Sequence, residues 1–460
     1  MKRNYLKFLL ILAGDVLIVP FCYWVAYFIR FGTLFGFQYD FSPVFLFMLT
    51  FGYIVVFYFF DLYAMPRQPR FEAAMSQIMF ATGISAILAS LLKYVFFLFP
   101  LGRGLLVIAN GLIFVLIFGW RKAGGLLFHY MIKPRSVLLM GTGKGTDEII
   151  RILESNPREF YFFGILTNEE LKDVVFASVK DRVIGPIDKL TVVLEENTVE
   201  IIVLTDASGK QNISADGLIR AHLRSIEVVD VPGLYKRLMG KIPIDYIQDE
   251  NWFLQTKGFA LVNNNLAGKI KRFFDAVLSG CGLLVSFPLW PFIAILIKAE
   301  SKGRVFYSQN RVGKNEISFS LFKFRSMVEG AEEAEAVWAE ENDRRVTKVG
   351  RLLRKLHLDE LPQLWNVLRG EMSLVGPRPE RPEFVSALKK EIPFYALRHF
   401  VKPGLTGWAQ INYPYASSAK DSKEKLEYDL YYISQMNAIF DLKILIKTML
   451  GFLSGRRKEN

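Results

Sequence analysis

Two adjacent acidic residues, Asp359 and Glu360, lie in a strongly basic part of the chain. Five basic residues around them are candidate ligands for phosphate groups: Arg311, Lys323, Arg325, Arg354 and Arg378. Phosphoryl transfer needs cations around the phosphates, a nucleophile and usually a divalent metal ion. One carboxylate of the pair could attack phosphorus while the other binds magnesium. Such a pair is also common on solvated surfaces, so by itself it does not decide the function.

Two of the five basic residues are distinguished by their place in the chain. Arg378 lies between Pro377 and Pro379, and proline fixes its own φ, so this loop should be stiff. Arg354 precedes Asp359 by a little more than one helical turn. The alternative for any single basic residue is a solvated charge or a lipid-headgroup contact. Position therefore favours phosphate binding for Arg378 and Arg354.

An apolar stretch at residues 273–298 precedes this basic region. Pro288 and Pro291 interrupt it, and two prolines in one run break the helical hydrogen-bond ladder and favour a bend. Positive residues flank the stretch on both sides: Lys269, Lys271 and Arg272 before it, and Lys298, Lys302 and Arg304 after it. Because positive charge marks the cytoplasmic side of a membrane segment, we predict a re-entrant helix that enters and leaves on that side.

The first 125 residues contain four further apolar stretches, at residues 7–29, 43–62, 78–98 and 104–120. Each approaches the ~20 residues that span a bilayer, and charge asymmetry between the loops predicts that both ends of a four-helix transmembrane bundle face the cytoplasm. Asp15 in the first stretch is expected to face the bundle interior, as a functional or a packing residue. With 52% hydrophobic residues, the formal charge of +12 favours membrane or phosphate contacts and argues against nucleic acid.

A different pattern occupies residues 135–262. A buried strand at 136–140 is followed by Gly141, Gly143 and Gly145 and then by an amphipathic helix, and further strand-like runs lie at 161–166, 200–204 and 226–231. Thr146 stands where the third glycine of a dinucleotide fingerprint would be. We therefore predict a degenerate Rossmann-like α/β domain, and we favour an assembly or regulatory role over nucleotide binding.

The C-terminal region carries five motifs in a fixed order, at residues 309–313, 322–327, 358–379, 402–412 and 428–432. In sequence and order they closely resemble the polyprenyl-phosphate hexose-1-phosphate transferases, which are monotopic phosphoglycosyl transferases. The resemblance covers about residues 268–455, and the preceding regions resemble the larger branch of that family. One departure is that Phe287 precedes Pro288, where many members have serine.

The resemblance implies a mainly helical catalytic domain at residues 268–460, on the cytoplasmic face of a bacterial inner membrane. It assigns Asp359 as the nucleophile and Glu360 as a ligand of Mg²⁺. The implied reaction moves a sugar 1-phosphate from a nucleotide sugar, with UDP as the expected nucleotide, to polyprenyl (undecaprenyl) phosphate through an aspartyl-phosphosugar intermediate. This reaction starts exopolysaccharide or O-antigen synthesis. The implied partners are the two substrates and membrane lipids, and the resemblance is compatible with a homodimer.

Two other functions were weighed against this one. The first is a membrane-tethered enzyme that modifies nucleotide sugars at the Gly141 region. No tyrosine in the chain is followed four positions later by lysine, which argues against the dehydratase version of that enzyme. The second alternative is a non-catalytic scaffold of polysaccharide assembly. Release of nucleoside monophosphate from a nucleotide sugar would distinguish the transferase from both.

Overall fold

The structure is a computed structural model of the chain. It describes residues 2–33, 43–60, 62–63, 71–96, 102–131, 134–143, 145–157, 159–168, 182–205, 215–247, 252–253, 259, 265–328, 345–413 and 418–453. Two compact units are present: Met1–Val137 with Ile150–Phe163, and Leu138–Ile149 with Gly164–Asn460.

The first unit begins with four helices: α1 (Lys2–Phe31), α2 (Pro43–Phe59), α3 (Phe71–Phe96) and α4 (Arg103–Met131). Helix α1 packs on α2 and α4, and α3 also packs on α2 and α4. Within the described residues, Phe8–Phe31 and Arg103–Gly124 are long and apolar enough to cross a membrane, whereas Pro43–Phe59 and Gln77–Leu91 are shorter apolar segments. The four predicted apolar stretches thus fall in helices, and the transmembrane bundle stays a prediction.

Asp15 is fully buried on α1 and has a partner on α4. Its two carboxylate oxygens accept hydrogen bonds from Nη1 and Nη2 of Arg121, at 2.9 and 2.6 Å. The Arg121 guanidinium also lies 5.3 Å from the centre of the Tyr63 ring. A buried carboxylate paired in this bidentate way joins two helices, so the contacts favour the packing interpretation of Asp15.

A five-stranded sheet follows, with strand order β3-β2-β1-β4-β5. Its strands are β1 (Arg135–Met140), β2 (Phe160–Leu166), β3 (Val183–Gly185), β4 (Ile201–Leu204) and β5 (Glu227–Asp230). The β2–β3 and β4–β5 pairs are parallel. The intervening helices are α5 (Thr146–Glu154), α6 (Leu190–Glu196), α7 (Ala215–Leu223) and α8 (Val231–Met239). This order is that of the classic Rossmann sheet without its sixth strand, and the sheet contains the four predicted strands; β3 was not predicted.

The catalytic region begins with α9 (Asn265–Ser286) and α10 (Trp290–Glu300), separated by a 3₁₀ turn at Phe287–Leu289. The helix break therefore coincides with the predicted proline site. Although Phe287 replaces the usual serine, Ser286 one residue earlier donates its hydroxyl to the Leu283 carbonyl at 3.2 Å. A serine hydroxyl thus still contacts the last turn before the break.

Short elements build the rest of this region. They are an antiparallel hairpin of β6 (Phe306–Val312) and β7 (Ser318–Phe324), α11 (Lys348–Lys355), α12 (Gln363–Arg369), a parallel pair of β8 (Ser373–Val375) and β9 (Gly404–Thr406), α13 (Pro382–Glu391), α14 (Trp408–Asn412), α15 (Ala419–Gln435) and α16 (Ala438–Leu453). Buried aliphatic and aromatic side chains from most of these elements form one hydrophobic core. The core fixes the short elements that carry the site.

A segment upstream of the predicted catalytic domain contributes to the same core. Ile242, Ile244, Ile247 and Phe253 are buried with the side chains of α12, α13 and α15. Within this segment, the N–H of Ile242 donates to the carbonyl of Glu427 at 3.0 Å. We call residues 240–247 and 252–253 together the core strap; the folded core includes residues about two dozen positions upstream of 268 in the sequence.

Candidate active site

Asp359 and Glu360 lie in a 3₁₀ turn, Leu358–Glu360, between α11 and α12. Helix α11 ends before His357, whose φ of 54° is left-handed and turns the chain. Pro362 then caps the start of α12. Successive residues of a 3₁₀ turn differ by about 120°, so the two carboxylates take different surroundings. Asp359 is 6% exposed, and the Glu360 side chain is 14% exposed.

Glu360 is held by two cations from separate elements. Its Oε1 accepts a hydrogen bond from Nη2 of Arg378 at 2.9 Å and one from Nζ of Lys323 at 3.2 Å. Burial alone would raise the pKa of Glu360, but the charges of Arg378 and Lys323 outweigh burial and hold that pKa well below its usual range. Glu360 is therefore an anion near neutral pH, and its contacts join β7 to the loop after β8.

Asp359 is the opposite kind of carboxylate. It accepts no hydrogen bond from any residue that the structure describes. Burial raises its pKa, and the negative charge of Glu360 adds to that rise, whereas Lys323 and Arg354 oppose it. A desolvated carboxylate without hydrogen-bond donors keeps its lone pairs available, which is what a nucleophile needs.

Arg354 and Arg325 have other contacts. The Nε of Arg354 donates a hydrogen bond to the Ser326 hydroxyl at 2.9 Å. The positive charge of Arg354 also lowers the pKa of Asp359. Arg325 is buried, and its guanidinium donates to the carbonyls of Ser301 and Lys302 at 2.9 and 2.7 Å. Arg325 thus ties the end of β7 to the chain that leaves α10. Its predicted phosphate contact stays a prediction.

Arg311 belongs to the support of the Arg378 loop. Three successive carbonyls of this loop accept hydrogen bonds: Arg378 from Nη2 of Arg398 at 3.0 Å, Pro379 from Nη1 of Arg311 at 3.2 Å, and Glu380 from the N–H of Val312 at 2.9 Å. Every backbone carbonyl from 378 to 380 is therefore fixed from outside the loop. This restraint, together with the flanking prolines, holds the Arg378 side chain against Glu360.

Two supporting residues were not predicted from the sequence. Asn366 is fully buried on α12 and bonds the edge of β7 twice, donating to the Ser320 carbonyl at 2.7 Å and accepting from the Phe322 N–H at 3.1 Å. Arg398 forms a buried ion pair with Asp429 at 2.9 Å. Asn366 and Asp429 lie in the motifs at 358–379 and 428–432, which was the available signal, whereas Arg398 lies outside every motif.

The acid pair has the features of an open magnesium site, which water and substrate complete, and lacks those of a site enclosed by protein ligands. Across the described residues, no three His, Cys, Asp or Glu side chains come together as a metal cluster. Magnesium in phosphoryl-transfer sites usually takes one or two carboxylates and completes its shell with water and substrate phosphates. Glu360 Oε2 accepts no hydrogen bond from the described residues, so this hard oxygen remains available as a ligand.

The glycine-rich loop of the sheet domain was the second candidate site. Gly141 and Gly145 have positive φ values of 88° and 91°. A Cβ on Gly145 would lie 3.1 Å from a ring carbon of Tyr246 and 3.1 Å from a methyl carbon of Val231. Tyr246 belongs to the core strap. The chain itself thus packs against the loop that approaches phosphates in nucleotide-binding relatives of this fold.

Comparison with known proteins adds to this geometry. Residues 266–455 match the family model described as bacterial sugar transferase. The chain is also 37% identical over 192 residues to an exopolysaccharide production protein, PSS, of Rhizobium leguminosarum bv. phaseoli, and covers 96% of that protein. This chain belongs to the bacterial sugar transferase family. The result confirms the resemblance found in the sequence.

Longer members of the family share more than this region. The chain is 41% identical over 238 residues to UDP-N-acetylgalactosamine-undecaprenyl-phosphate N-acetylgalactosaminephosphotransferase of Aeromonas hydrophila, which is 52% of this chain and 55% of that protein. It is 32% identical over 289 residues to UDP-glucose:undecaprenyl-phosphate glucose-1-phosphate transferase of Xanthomonas campestris pv. campestris, which is 59% of this chain and 57% of that protein. The chain thus spans about half the length of these two curated relatives.

Proposed function

We propose that this sugar transferase moves a sugar 1-phosphate from a UDP-sugar to polyprenyl phosphate. The observation that carries the proposal is the buried Asp359 without hydrogen-bond donors in the described chain, next to a Glu360 that is fixed by Lys323 and Arg378. The names of the two longer relatives, which specify UDP-sugars and undecaprenyl phosphate, support the substrate classes. The name of the Rhizobium relative supports a role in exopolysaccharide production.

In the first step, a carboxylate oxygen of Asp359 attacks the phosphorus that carries the sugar. A bond forms between this oxygen and phosphorus, and the bond from phosphorus to the bridging oxygen of the nucleotide breaks. The electron pair leaves with uridine monophosphate, so the protein needs no proton donor. Lys323 and Arg378 bind the phosphate oxygens, and Arg354 adds positive potential beside Asp359.

In the second step, an oxygen of the lipid phosphate attacks the same phosphorus and the Asp359 carboxylate leaves. One anhydride between carboxylate and phosphate is exchanged for one between two phosphates, and the free enzyme returns. Dividing the exchange lets one site act on a water-soluble donor and a lipid acceptor in turn. The incoming phosphates compete with Glu360 for Lys323 and Arg378, and the Glu360 carboxylate would hold Mg²⁺. Bound magnesium would neutralise charge on the phosphates.

The membrane arrangement is also part of the proposal. We assign a transmembrane bundle to α1–α4 and a re-entrant course to α9–α10. Residues Ala267–Glu300 are long enough to span a bilayer, yet both ends bind one folded region. Near the start, Arg272 donates to the carbonyls of Val367 and Leu368; at the end, the Glu300 carboxylate accepts the N–H groups of Lys348 and Val349. A bend at Phe287–Leu289 accounts for both sets of contacts and keeps the catalytic domain on the cytoplasmic face.

A half-reaction tests the chemistry. Purified full-length protein is incubated with UDP-sugars labelled in the sugar and with Mg²⁺, but without lipid acceptor. We expect release of uridine monophosphate and sugar phosphate on the peptide that contains Asp359, with transfer of the label to polyprenyl phosphate in a chase. Asp359→Asn should form no adduct. Full activity of Asp359→Asn, or monophosphate release only when both substrates are present, would contradict the two-step route.

A further inference from the structure

A group of cations lies at the opposite end of α12 from the acid pair. Arg272 on α9 donates to the carbonyls of Val367 and Leu368, in the last turn of α12. A Cβ on Gly370, which ends this helix, would lie 3.3 Å from the guanidinium carbon of Arg272 and 3.3 Å from Nζ of Lys402. The two charges thus lie over the same glycine, closer together than the screening length of about 8 Å at physiological salt.

Lys402 has no direct ion-pair partner to offset this repulsion within the described residues. It donates no hydrogen bond and forms no ion pair within the described part of the chain. Burial and then the charge of Arg272 lower the pKa of the Lys402 amine, Lys314 and Lys271 act in the same direction, and the charge of Asp275 opposes them without reversing the shift. The acid of this neighbourhood, Asp275, already accepts the N–H of Leu374 at 3.0 Å. The site has an excess of positive charge that an anion would relieve.

The surroundings indicate where that anion comes from. Apolar side chains with high exposure begin at the same level of α9: Ile270 is 43%, Phe273 is 64% and Phe274 is 50% exposed. Exposed apolar side chains that begin next to a basic group are expected where a membrane helix passes from the headgroup layer into the hydrocarbon. Lipid phosphates occupy this boundary, whereas soluble anions are excluded from the adjacent hydrocarbon.

We propose that Lys402, with Arg272 and Lys314 beside it, forms a binding site for the phosphate group of a membrane lipid. The site rests on the membrane placement of α9 in the proposed function, but not on the transfer chemistry. Polyprenyl phosphate and an anionic phospholipid offer the same charged oxygens to it. Arg272 is already oriented by α12, so Lys402 is the residue whose hydrogen bonds are available to the ligand.

Lipid retention by the full-length protein tests the site. The protein in detergent is mixed with polyprenyl phosphate or with phosphatidylglycerol, without any sugar donor, and bound lipid is counted by native mass spectrometry. We expect Lys402→Gln to lower the retained fraction roughly tenfold, the effect of losing one charged hydrogen bond. Lys402→Arg should retain lipid. Lys298→Gln is the matched control, because Lys298 is an exposed lysine at the other end of the apolar segment.

The two lipids separate the possible ligands. A loss confined to polyprenyl phosphate identifies the site with the acceptor, and a loss that includes phosphatidylglycerol identifies a headgroup site. Equal retention by wild type and Lys402→Gln, or equal losses in Lys402→Gln and Lys298→Gln, would overturn the proposal. Should Lys402→Gln not fold, the exposed Lys314→Gln must show a smaller loss instead. Because no donor is present, this result is independent of whether the protein transfers sugar phosphate.

Discussion

Neutralising the two adjacent acids should change stability in opposite directions. Glu360→Gln keeps the side-chain shape but removes the charge that Lys323 and Arg378 contact at 3.2 and 2.9 Å. Hydrogen bonds to charged groups contribute about 1.5–3 kcal/mol each when buried, and exposed ion pairs contribute about 0.2–1 kcal/mol. Because Arg378 is 42% exposed, we expect a total loss of about 1–3 kcal/mol near neutral pH.

The pKa directions give the sign for each acid. The pKa of Glu360 is lowered by folding, so its contribution to stability is complete above the unfolded value of about 4.3 and is lost as the pH falls towards the folded-state pKa. The pKa of Asp359 is raised, so its charge lowers stability as the pH rises from about 3.9 through the folded-state pKa. The penalty is complete once the pH exceeds the folded-state pKa and Asp359 is ionised. Asp359→Asn should therefore stabilise the folded domain.

Unfolding rates measured by limited proteolysis of the full-length protein in detergent can test this pair. Near neutral pH, Glu360→Gln should unfold faster than wild type and Asp359→Asn should unfold more slowly, while both lack normal transfer activity. The Glu360→Gln effect should shrink in acid. If Asp359→Asn is destabilised as much as Glu360→Gln, Asp359 has stabilising contacts and the assignment of a desolvated, reactive carboxylate is wrong.

The remaining predictions concern the rest of the chain. Because Asp359 must be ionised to attack, the rate of adduct formation should decrease as the pH is lowered, with a midpoint above about 3.9. Quenched single-turnover assays at a series of pH values measure this midpoint. Ile242→Ala should destabilise the catalytic domain by about 2–5 kcal/mol, because Ile242 is 0% exposed, whereas Leu223→Ala, at a site 77% exposed, should change the unfolding rate little. A cysteine near Lys302 should resist an impermeant reagent added outside cells; efficient labelling would contradict the re-entrant course. Arg378→Gln should raise the donor KM and lower kcat together in steady-state assays, because the proposed contact of Arg378 with the donor phosphate would form in the ground state and strengthen in the transition state.

Local sequence pattern was sufficient for four of the five strands and for the helix break, and it pointed to the acid pair as the candidate nucleophile and metal ligand. The run at residues 136–140 is apolar because β1 is buried on both faces, and two prolines marked the break between α9 and α10. Asp359 and Glu360 could be proposed as the reactive pair because phosphate chemistry requires acids beside cations, and the surrounding motif is long. Each of these signals depends on residues that are neighbours in the sequence, so it can be recognised without knowledge of the tertiary fold.

The residues that orient the site could not be found in that way. Arg325 and Arg378 are both single arginines within motifs of the basic region, and the sequence alone does not separate their roles. In the structure Arg325 donates to the carbonyls of Ser301 and Lys302, whereas Arg378 donates to the Glu360 carboxylate. Arg398 acts on a carbonyl 20 positions away. In each case the tertiary fold brings the hydrogen-bond acceptor close to the arginine, and no periodic pattern in the sequence predicts that contact.

The upstream core strap changes how the domains of this chain depend on each other. The Rhizobium relative aligns over 96% of its own length with 40% of this chain, so the family fold occurs in a much shorter protein. In the present chain, however, residues before 260 fill part of the catalytic core, and Tyr246 of the same strap packs on Gly145 of the sheet domain. Lys241 also pairs with Glu424 and Glu427 of α15, at 2.9 and 3.3 Å. A buried segment that packs on both regions couples the stability of the catalytic core to the glycine-rich loop, and the predicted assembly role of the sheet domain needs no bound nucleotide to explain this contact.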